Sequence, residues 1–345
     1  MGDILHALPA VTALRQAHPA WIIDWVVEPC WQALLSVDAT GNLPSGPAQP
    51  LVDHLHFAAT KEWRKSLFSH HTLFEIIHLR RNLRCGRYDA VLDLQGAIRS
   101  AILAQFSGSQ RIIGEAAPRE RAARWLFTAT VATRGAHVIQ QDIELAASIA
   151  GDDLQPIRPW LPVDPSAELW AETLLPLDNP QSSILINPGA GWGAKRWPVE
   201  RYAEVAQQLI QRGCRVLVNA GPGEQPLADA IVSQTDGAAT ALSCSLAQLI
   251  ALTRRVSLAI AGDTGPLHLA CALGRPVVGI YGPTDPSRNG PFGTEFRVLR
   301  SPISQRDHTR RPDPEAGLLT IQPADVLRAA DELLYPVTTT PENSL

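Results

Sequence analysis

The chain has 345 residues, 45% of them hydrophobic, a net charge of -4 and five scattered cysteines. That is enough apolar material for two buried cores, so disorder over most of the length is excluded, and nothing in the charge calls for a nucleic-acid partner. No run approaches the ~18 uncharged apolar residues of a membrane span, and Asp3, His6 and Pro9 interrupt the only apolar stretch at the N-terminus, which points to the cytoplasm. Cys30, Cys85, Cys214, Cys244 and Cys271 form neither a Cys-x-x-Cys pair nor a disulfide framework, and no carboxylate cluster calls for a metal.

In chain order, "MGDILHALPAV" reads as the mouth of a loop entering an amphipathic helix, the part of an α/β unit that normally follows a buried strand. Strand-like runs then follow at 21–27, 54–57, 88–96 and 111–114, with a turn-rich loop over 43–50. The spacing predicts a helix over 72–87 that turns Leu73, Ile76, Ile77 and Leu83 inward while Arg80, Arg81, Arg84 and Arg87 crowd its remaining surface. Positions 61–124 hold 12 Lys/Arg against 6 Asp/Glu, either a solvated face or a seat for an acidic partner. The proline-rich stretch 151–165 is a plausible linker. A second series of strands at 182–189, 214–222, 256–265 and 276–283 alternates with helices near 198–212, 225–235, 246–254, from 266, and at 323–334. The expected organisation is α/β: two Rossmann-like doubly wound domains, 1–160 and 161–335, facing one another across a cleft, with a disordered tail at 336–345.

Open α/β sheets bind ligands where their strands end, and the segments after the later strands carry suitable groups. In "AGDTGPLHLA", Pro266 suits the first turn of a helix, so the amides of Thr264 and Gly265 would point off a positive helix start that favours a phosphate, or simply begin an ordinary capped helix. "NPGAGWGAKRWP" offers three alternate glycines and the cation of Lys195, yet fits neither a phosphate-binding Gly-Lys-Ser/Thr loop nor a dinucleotide fingerprint. In "AGPGEQP", Glu224 has the chemistry to accept hydrogen bonds from a ribose diol, or to serve as a favourable acid in a first helical turn. Taken together these loops favour a nucleotide diphosphate.

The segments "MGDILHALPAV", "YDAVLDLQG", "PGAGWGAKRWP" and "AGDTGPLHLACALGRPVVGIYGPTDP" together resemble the ADP-heptose:lipopolysaccharide heptosyltransferases, inverting enzymes of the GT-B fold, over nearly all of 1–335. The resemblance implies transfer of L-glycero-D-manno-heptose from ADP-heptose to the lipopolysaccharide inner core, with ADP-heptose as donor substrate and no further cofactor. It implies Asp3 as the base that takes the acceptor's proton, although Asp3 is also a suitable helix cap. It implies Lys195 at the donor phosphates and the leaving group, Glu224 at the ribose, Cys244 near the adenine, and Asp263, Thr264, Gly265 and His268 in the donor motif. His268 equally suits a satisfied core histidine, and Cys244 a small buried apolar residue. Lys61, Arg64, Lys65 and Arg119 resemble basic contacts to the anionic acceptor, Kdo-lipid A or its heptosylated product, so the basic excess of 61–124 gains a partner. The acceptor lies in a membrane, which implies peripheral contact with the cytoplasmic face of the inner membrane; the expected state is a monomer. The first half is more similar to heptosyltransferase I and "PGAGWGAKRWP" to heptosyltransferase II.

One departure concerns the start. The resemblance implies roughly ten residues ahead of Met1 forming the first, central strand of the N-terminal sheet. Without that strand two rows of backbone groups stay unpaired, each at ~1–3 kcal/mol, so the expectation is a native start upstream of Met1. The readings in competition with a transferase are a non-catalytic two-domain sugar-binding protein and a nucleotide-sugar epimerase of the same architecture.

Overall fold

Short apolar runs bracketed by turn residues become strands in both halves of the chain, and the amphipathic stretches between them become helices. The structure, a computed structural model, describes residues 1–37, 50–66, 68–176, 180–307 and 309–335. The loop expected over 43–50, Pro50 excepted, and the tail expected over 336–345 lie outside the described residues. The chain divides into two units, Met1–Val163 and Asp164–Leu345, within the proline-rich stretch 151–165.

The first unit runs α1 (Gly2–Ala17), β1 (Asp24–Val27), β2 (His54–Phe57), α2 (Thr60–Trp63), α3 (His70–Cys85), β3 (Val91–Asp93), α4 (Ile98–Phe106), β4 (Ile112–Glu115), β5 (Ala129–Val131) and α5 (Val138–Ala150). Helix α1 begins at Gly2, so Asp3 lies in a first helical turn rather than in the expected loop mouth, where the helix dipole favours a carboxylate. Ala10, Ala13 and Leu14 of α1 pack on Ile143 and Ala146 of α5. At the far end of α1 the buried Arg15 donates to Asp53 Oδ2 at 2.5 Å and to the Trp21 carbonyl at 2.7 Å, which fixes the approaches to β1 and β2.

The expected gap in the N-terminal sheet is present among the described residues. Strand β1 pairs in parallel with β2, β3 with β4 and β4 with β5, and no described strand joins the pair to the triplet. The facing edges of β1 and β3 line a cavity of about 470 Å³. Asp24, at the start of β1, accepts hydrogen bonds there from Tyr88 (2.6 Å), His54 (2.8 Å) and His56 (3.2 Å). Burial pushes the Asp24 carboxyl up, but these three partners outweigh it and bring the pKa to about 2.

Helix α3 departs from its expected orientation. Thr72, Leu79 and Leu83 are its buried residues, with Ile76 partly buried in the same cluster as Ala58 and Trp63, while Leu73 and Ile77 are exposed. Two rows compete for one core, and the row at spacings of four, three and four, from Thr72 through Ile76 and Leu79 to Leu83, wins it.

The second unit runs α6 (Pro165–Leu174), β6 (Ser183–Asn187), α7 (Val199–Gln211), β7 (Arg215–Asn219), α8 (Gln225–Gln234), β8 (Thr240–Leu242), α9 (Leu246–Thr253), β9 (Leu258–Gly262), α10 (Gly265–Ala272), β10 (Val277–Tyr281), α11 (Pro286–Asn289), β11 (Phe296–Arg300) and α12 (Pro323–Leu334). Its six strands form one parallel sheet in the order β11-β10-β9-β6-β7-β8. Strands β6, β9 and β10 are buried along their whole length because both faces are covered. Ile184, Ile186, Val216, Leu258 and Ile260 pack on one side against Tyr202, Val205 and Leu209 of α7. Ala259, Ala261 and Tyr281 pack on the other against Leu267 and Ala270 of α10. Among the described residues no helix is long and apolar enough to cross a membrane.

Candidate active site

Because every strand pair of the six-stranded sheet is parallel, the segments after β6, β7, β9 and β10 emerge from one edge. The order reverses between the neighbours β6 and β9, and such a reversal opens a crevice at the carboxyl ends of the strands. Lys195, from the segment after β6, and Asp263, directly after β9, meet there: Lys195 Nζ lies 2.5 Å from Asp263 Oδ2. His268, one turn into α10, places Nε2 3.1 Å from Asp263 Oδ1. Burial would raise the Asp263 carboxyl, but the hydrogen bond with His268 and the charge of Lys195 outweigh it and hold the group well below the usual carboxylate range. Asp263 is thus an ionised anchor, and an ammonium with three donors keeps two for an incoming anion.

Thr264 precedes α10 and Gly265 opens it, with Pro266 in the first turn, so the free amides and the dipole of this helix start add positive potential beside Lys195. The indole of Trp192 supports the cation, its ring centroid 4.6 Å from Lys195 Nζ and 5.8 Å from the guanidinium carbon of Arg310. Two glycines make the close packing possible. A Cβ on Gly193 would meet the Pro312 carbonyl oxygen at 1.5 Å, and one on Gly189 would meet the Glu224 carboxylate at 2.0 Å. Glu224 Oε2 accepts from the Gly221 amide at 3.1 Å, which holds the side chain at the strand ends. Three buried polar atoms in the same segments have no hydrogen-bond partner: Asn187 Nδ2, Trp192 Nε1 and Thr284 Oγ1. An unsatisfied buried polar group costs about 1–3 kcal/mol, so this edge is one that a polar ligand would complete.

In the first unit, Asp3 Oδ2 accepts from Gln95 Nε2 at 2.8 Å and lies 3.4 Å from Arg119 Nη1. Asp3, Lys61, Gln95 and Arg99 line the cavity beside β1 and β3. Lys61 Nζ sits 5.5 Å from the centroid of the Trp31 ring. Behind Gln95, burial pushes the Asp93 carboxyl up against the hydrogen bonds it receives from Gly96, Gln95 and Ser100.

The profile of glycosyltransferase family 9 (heptosyltransferase) matches residues 76–318, more than half of the chain. The chain belongs to this family. It is therefore a glycosyltransferase, and its two α/β units are those of the GT-B fold. Lipopolysaccharide heptosyltransferase 1 of Escherichia coli (strain K12) is 29% identical over 307 residues, covering 88% of this chain and 91% of that protein. Lipopolysaccharide heptosyltransferase 2 of the same strain is 27% identical over 361 residues, covering 97% of this chain and 96% of that protein. The solved structure of E. coli heptosyltransferase WaaC with ADP superposes with a TM-score of 0.74 at 27% identity, over 96% of this chain and 97% of that one. Similarity to both numbered enzymes supports a heptosyltransferase of the lipopolysaccharide core and leaves the position in the core to the acceptor.

Within this family 9 chain, Lys195, Glu224, Asp263, Thr264, Gly265 and His268 lie in segments that leave one sheet edge, and Lys195, Asp263 and His268 touch. His268 is both things at once, a buried histidine and the partner of Asp263. Cys244 follows β8 and is half-buried, its thiol pushed up to about 11 by burial, so it offers a contact and not a nucleophile. Asp3 and Arg119 are brought together, and Asp3 and Lys61 line one cavity, which Arg119 and the exposed Arg64 and Lys65 do not. Sequence reasoning missed Gln95, Trp192 and Arg310. The first two sit inside the quoted motifs "YDAVLDLQG" and "PGAGWGAKRWP", whereas Arg310 carries no local pattern and reaches Trp192 only through the packing of Pro312 on Gly193.

Proposed function

We propose that this enzyme moves L-glycero-D-manno-heptose from ADP-heptose to Kdo-lipid A, with inversion, as a monomer at the cytoplasmic face of the inner membrane. The Lys195–Asp263 pair at the point where the sheet order reverses, beside the start of α10, carries the reading. Held by Asp263, the ammonium keeps two donors that, with the α10 amides, can meet a diphosphate leaving group. In this reading Asp3 takes the proton of the acceptor hydroxyl as its oxygen bonds to the anomeric carbon. The bond from that carbon to the diphosphate breaks with its electron pair, and Lys195 and the α10 amides take up the charge of ADP. Glu224 holds the ribose diol and Cys244 borders the adenine. Lys61, Arg64, Lys65 and Arg119 meet the carboxylates and phosphates of the acceptor. The weight on the first heptose rests on the N-terminal half, where the acceptor contacts are assigned. The solved relative bound to ADP supports the donor assignment.

The test follows ADP release from ADP-heptose with Kdo-lipid A or with heptosyl-Kdo-lipid A. Release with the first acceptor alone is the expected result. Release with the second alone reassigns the acceptor, silence with both overturns the reading, and conversion of the donor without acceptor marks an epimerase.

A further inference from the structure

Helix α3 carries two apolar rows, and only one is used by the fold. The outer row is conspicuous: Phe74 is 68% exposed, Ile77 65% and Leu73 45%, and Phe68 just ahead of the helix is 93% exposed. At roughly 100° per residue, Phe74, Ile77, Arg81 and Arg84 fall within an arc of about 80°, the side opposite the buried Thr72, Leu79 and Leu83. Among the described residues no ion pair holds Arg80, Arg81 or Arg84. Apolar side chains in the first turns with unpaired arginines in the last two turns of one helix face is a pattern that water disfavours and a charged interface satisfies.

We infer that the outer face of α3 is a docking surface for an anionic bilayer, with Phe74 and Ile77 entering the acyl boundary and Arg80, Arg81 and Arg84 meeting lipid phosphates. This deepens the membrane contact of the proposed function by naming the element that makes it. Charge complementarity selects the occupant. A second copy of the chain docked antiparallel through the same face would set Arg81 and Arg84 of each copy against Phe74 and Ile77 of the other, out of water and with no carboxylate on that face to pair them. An anionic leaflet offers both an apolar layer for the rings and phosphates at the depth of the guanidinium groups, and each arginine near such a surface contributes about 1 kcal/mol, or roughly fivefold in partition.

The experiment is co-sedimentation of the full chain with vesicles of phosphatidylcholine alone or of phosphatidylcholine and phosphatidylglycerol at four to one. Binding to the anionic vesicles only is expected. The double variant Phe74→Ser/Ile77→Ser should weaken it at least tenfold, and Arg81→Gln/Arg84→Gln roughly 25-fold. The variant Phe74→Trp, which keeps the helix apolar, should shift its emission to the blue on binding and be quenched by brominated acyl chains. Equal binding to neutral vesicles, unchanged binding by folded double variants, or an unquenched Trp at position 74 would overturn the inference. So would a wild-type dimer that Phe74→Ser/Ile77→Ser dissolves, because the face would then belong to a second copy. No sugar nucleotide enters this experiment, so failure of heptosyl transfer and failure of the docking surface are read separately.

Discussion

The six strands of the C-terminal unit run from β11 to β8 without a break, whereas the described strands of the N-terminal unit fall into a pair and a triplet. The contrast extends to burial: β6, β9 and β10 are sealed throughout, while β1 and β3 each have a single buried residue. A closed parallel sheet holds loop starts rigidly, and the Lys195–Asp263–His268 cluster stands on the stiffest part of it. Asp3 stands on a helix end instead, held by two side-chain contacts. Asp3 and the Lys195 cluster thus rest on foundations of unequal burial, so damage to them should look different.

The largest effect expected is on the two charged residues. Lys195→Ala should lower turnover by about 10²–10³ and also destabilise the C-terminal unit by about 3–5 kcal/mol, because it takes the cation from the buried Asp263 carboxylate and leaves it His268 alone. Asp3→Asn should lower turnover by about 10²–10⁴ while stability changes by no more than about 0.5 kcal/mol and ADP binding persists. Steady-state kinetics beside thermal melts would separate the two, and a large loss of stability in Asp3→Asn would break the comparison.

Next in size is the response to nucleotide. At about 100 times its Kd, ADP should add about 2.7 kcal/mol to the unit that binds it. Hydrogen exchange should slow in β6, β9 and α10 and barely change in β1 and β3. Protection spread evenly over both units would refute a difference in foundation.

Acid should sharpen the contrast further. The depressed carboxyl of Asp24 contributes stability that is present above the ordinary carboxylate range and is lost as the pH falls through about 2. The Asp263 carboxyl is likewise held low, by His268 and Lys195 against its burial. On acidification the half-exposed β1 and β2 should loosen before the sealed β6 and β9, and Tyr88→Phe, which removes a donor to Asp24, should move the first event to higher pH.

The smallest effect is expected at Cys244. With its thiol raised to about 11 it stays protonated at pH 8 and should react with iodoacetamide more slowly than a free thiol, and Cys244→Ala should change the Kd for ADP by less than about threefold.

The strands that carry the proposed donor site were legible in the sequence because fully buried parallel strands leave continuous apolar runs ending in Gly, Pro or Asn. Strand β2 matches its expected run at 54–57, and α12 its expected span at 323–334. Shorter pieces were not legible: β5 and β8 have three residues each, too few for alternation to show. The run expected over 88–96 forms strand only at Val91–Asp93, because the Asp93 side chain captures the amides of Gln95 and Gly96 and turns the chain there. The inward face of α3 was misread because periodicity identifies apolar rows but not which of two rows meets Trp63 and Ala58. At the site, residue types in motifs exposed the donor loops, but the salt bridge between Lys195 and Asp263 joins segments 68 positions apart and is visible only after folding.

The cation-bearing indole at position 192 has a use beyond support. With Lys195 on one ring contact and Arg310 on another, its excited state is subject to two nearby positive charges that a bound diphosphate would draw away or neutralise. Nucleotide arrival therefore has an intrinsic optical signature, and subtracting the emission of a Trp192→Phe protein from the total of nine tryptophans would turn the enzyme into its own titration reporter without label or coupled assay.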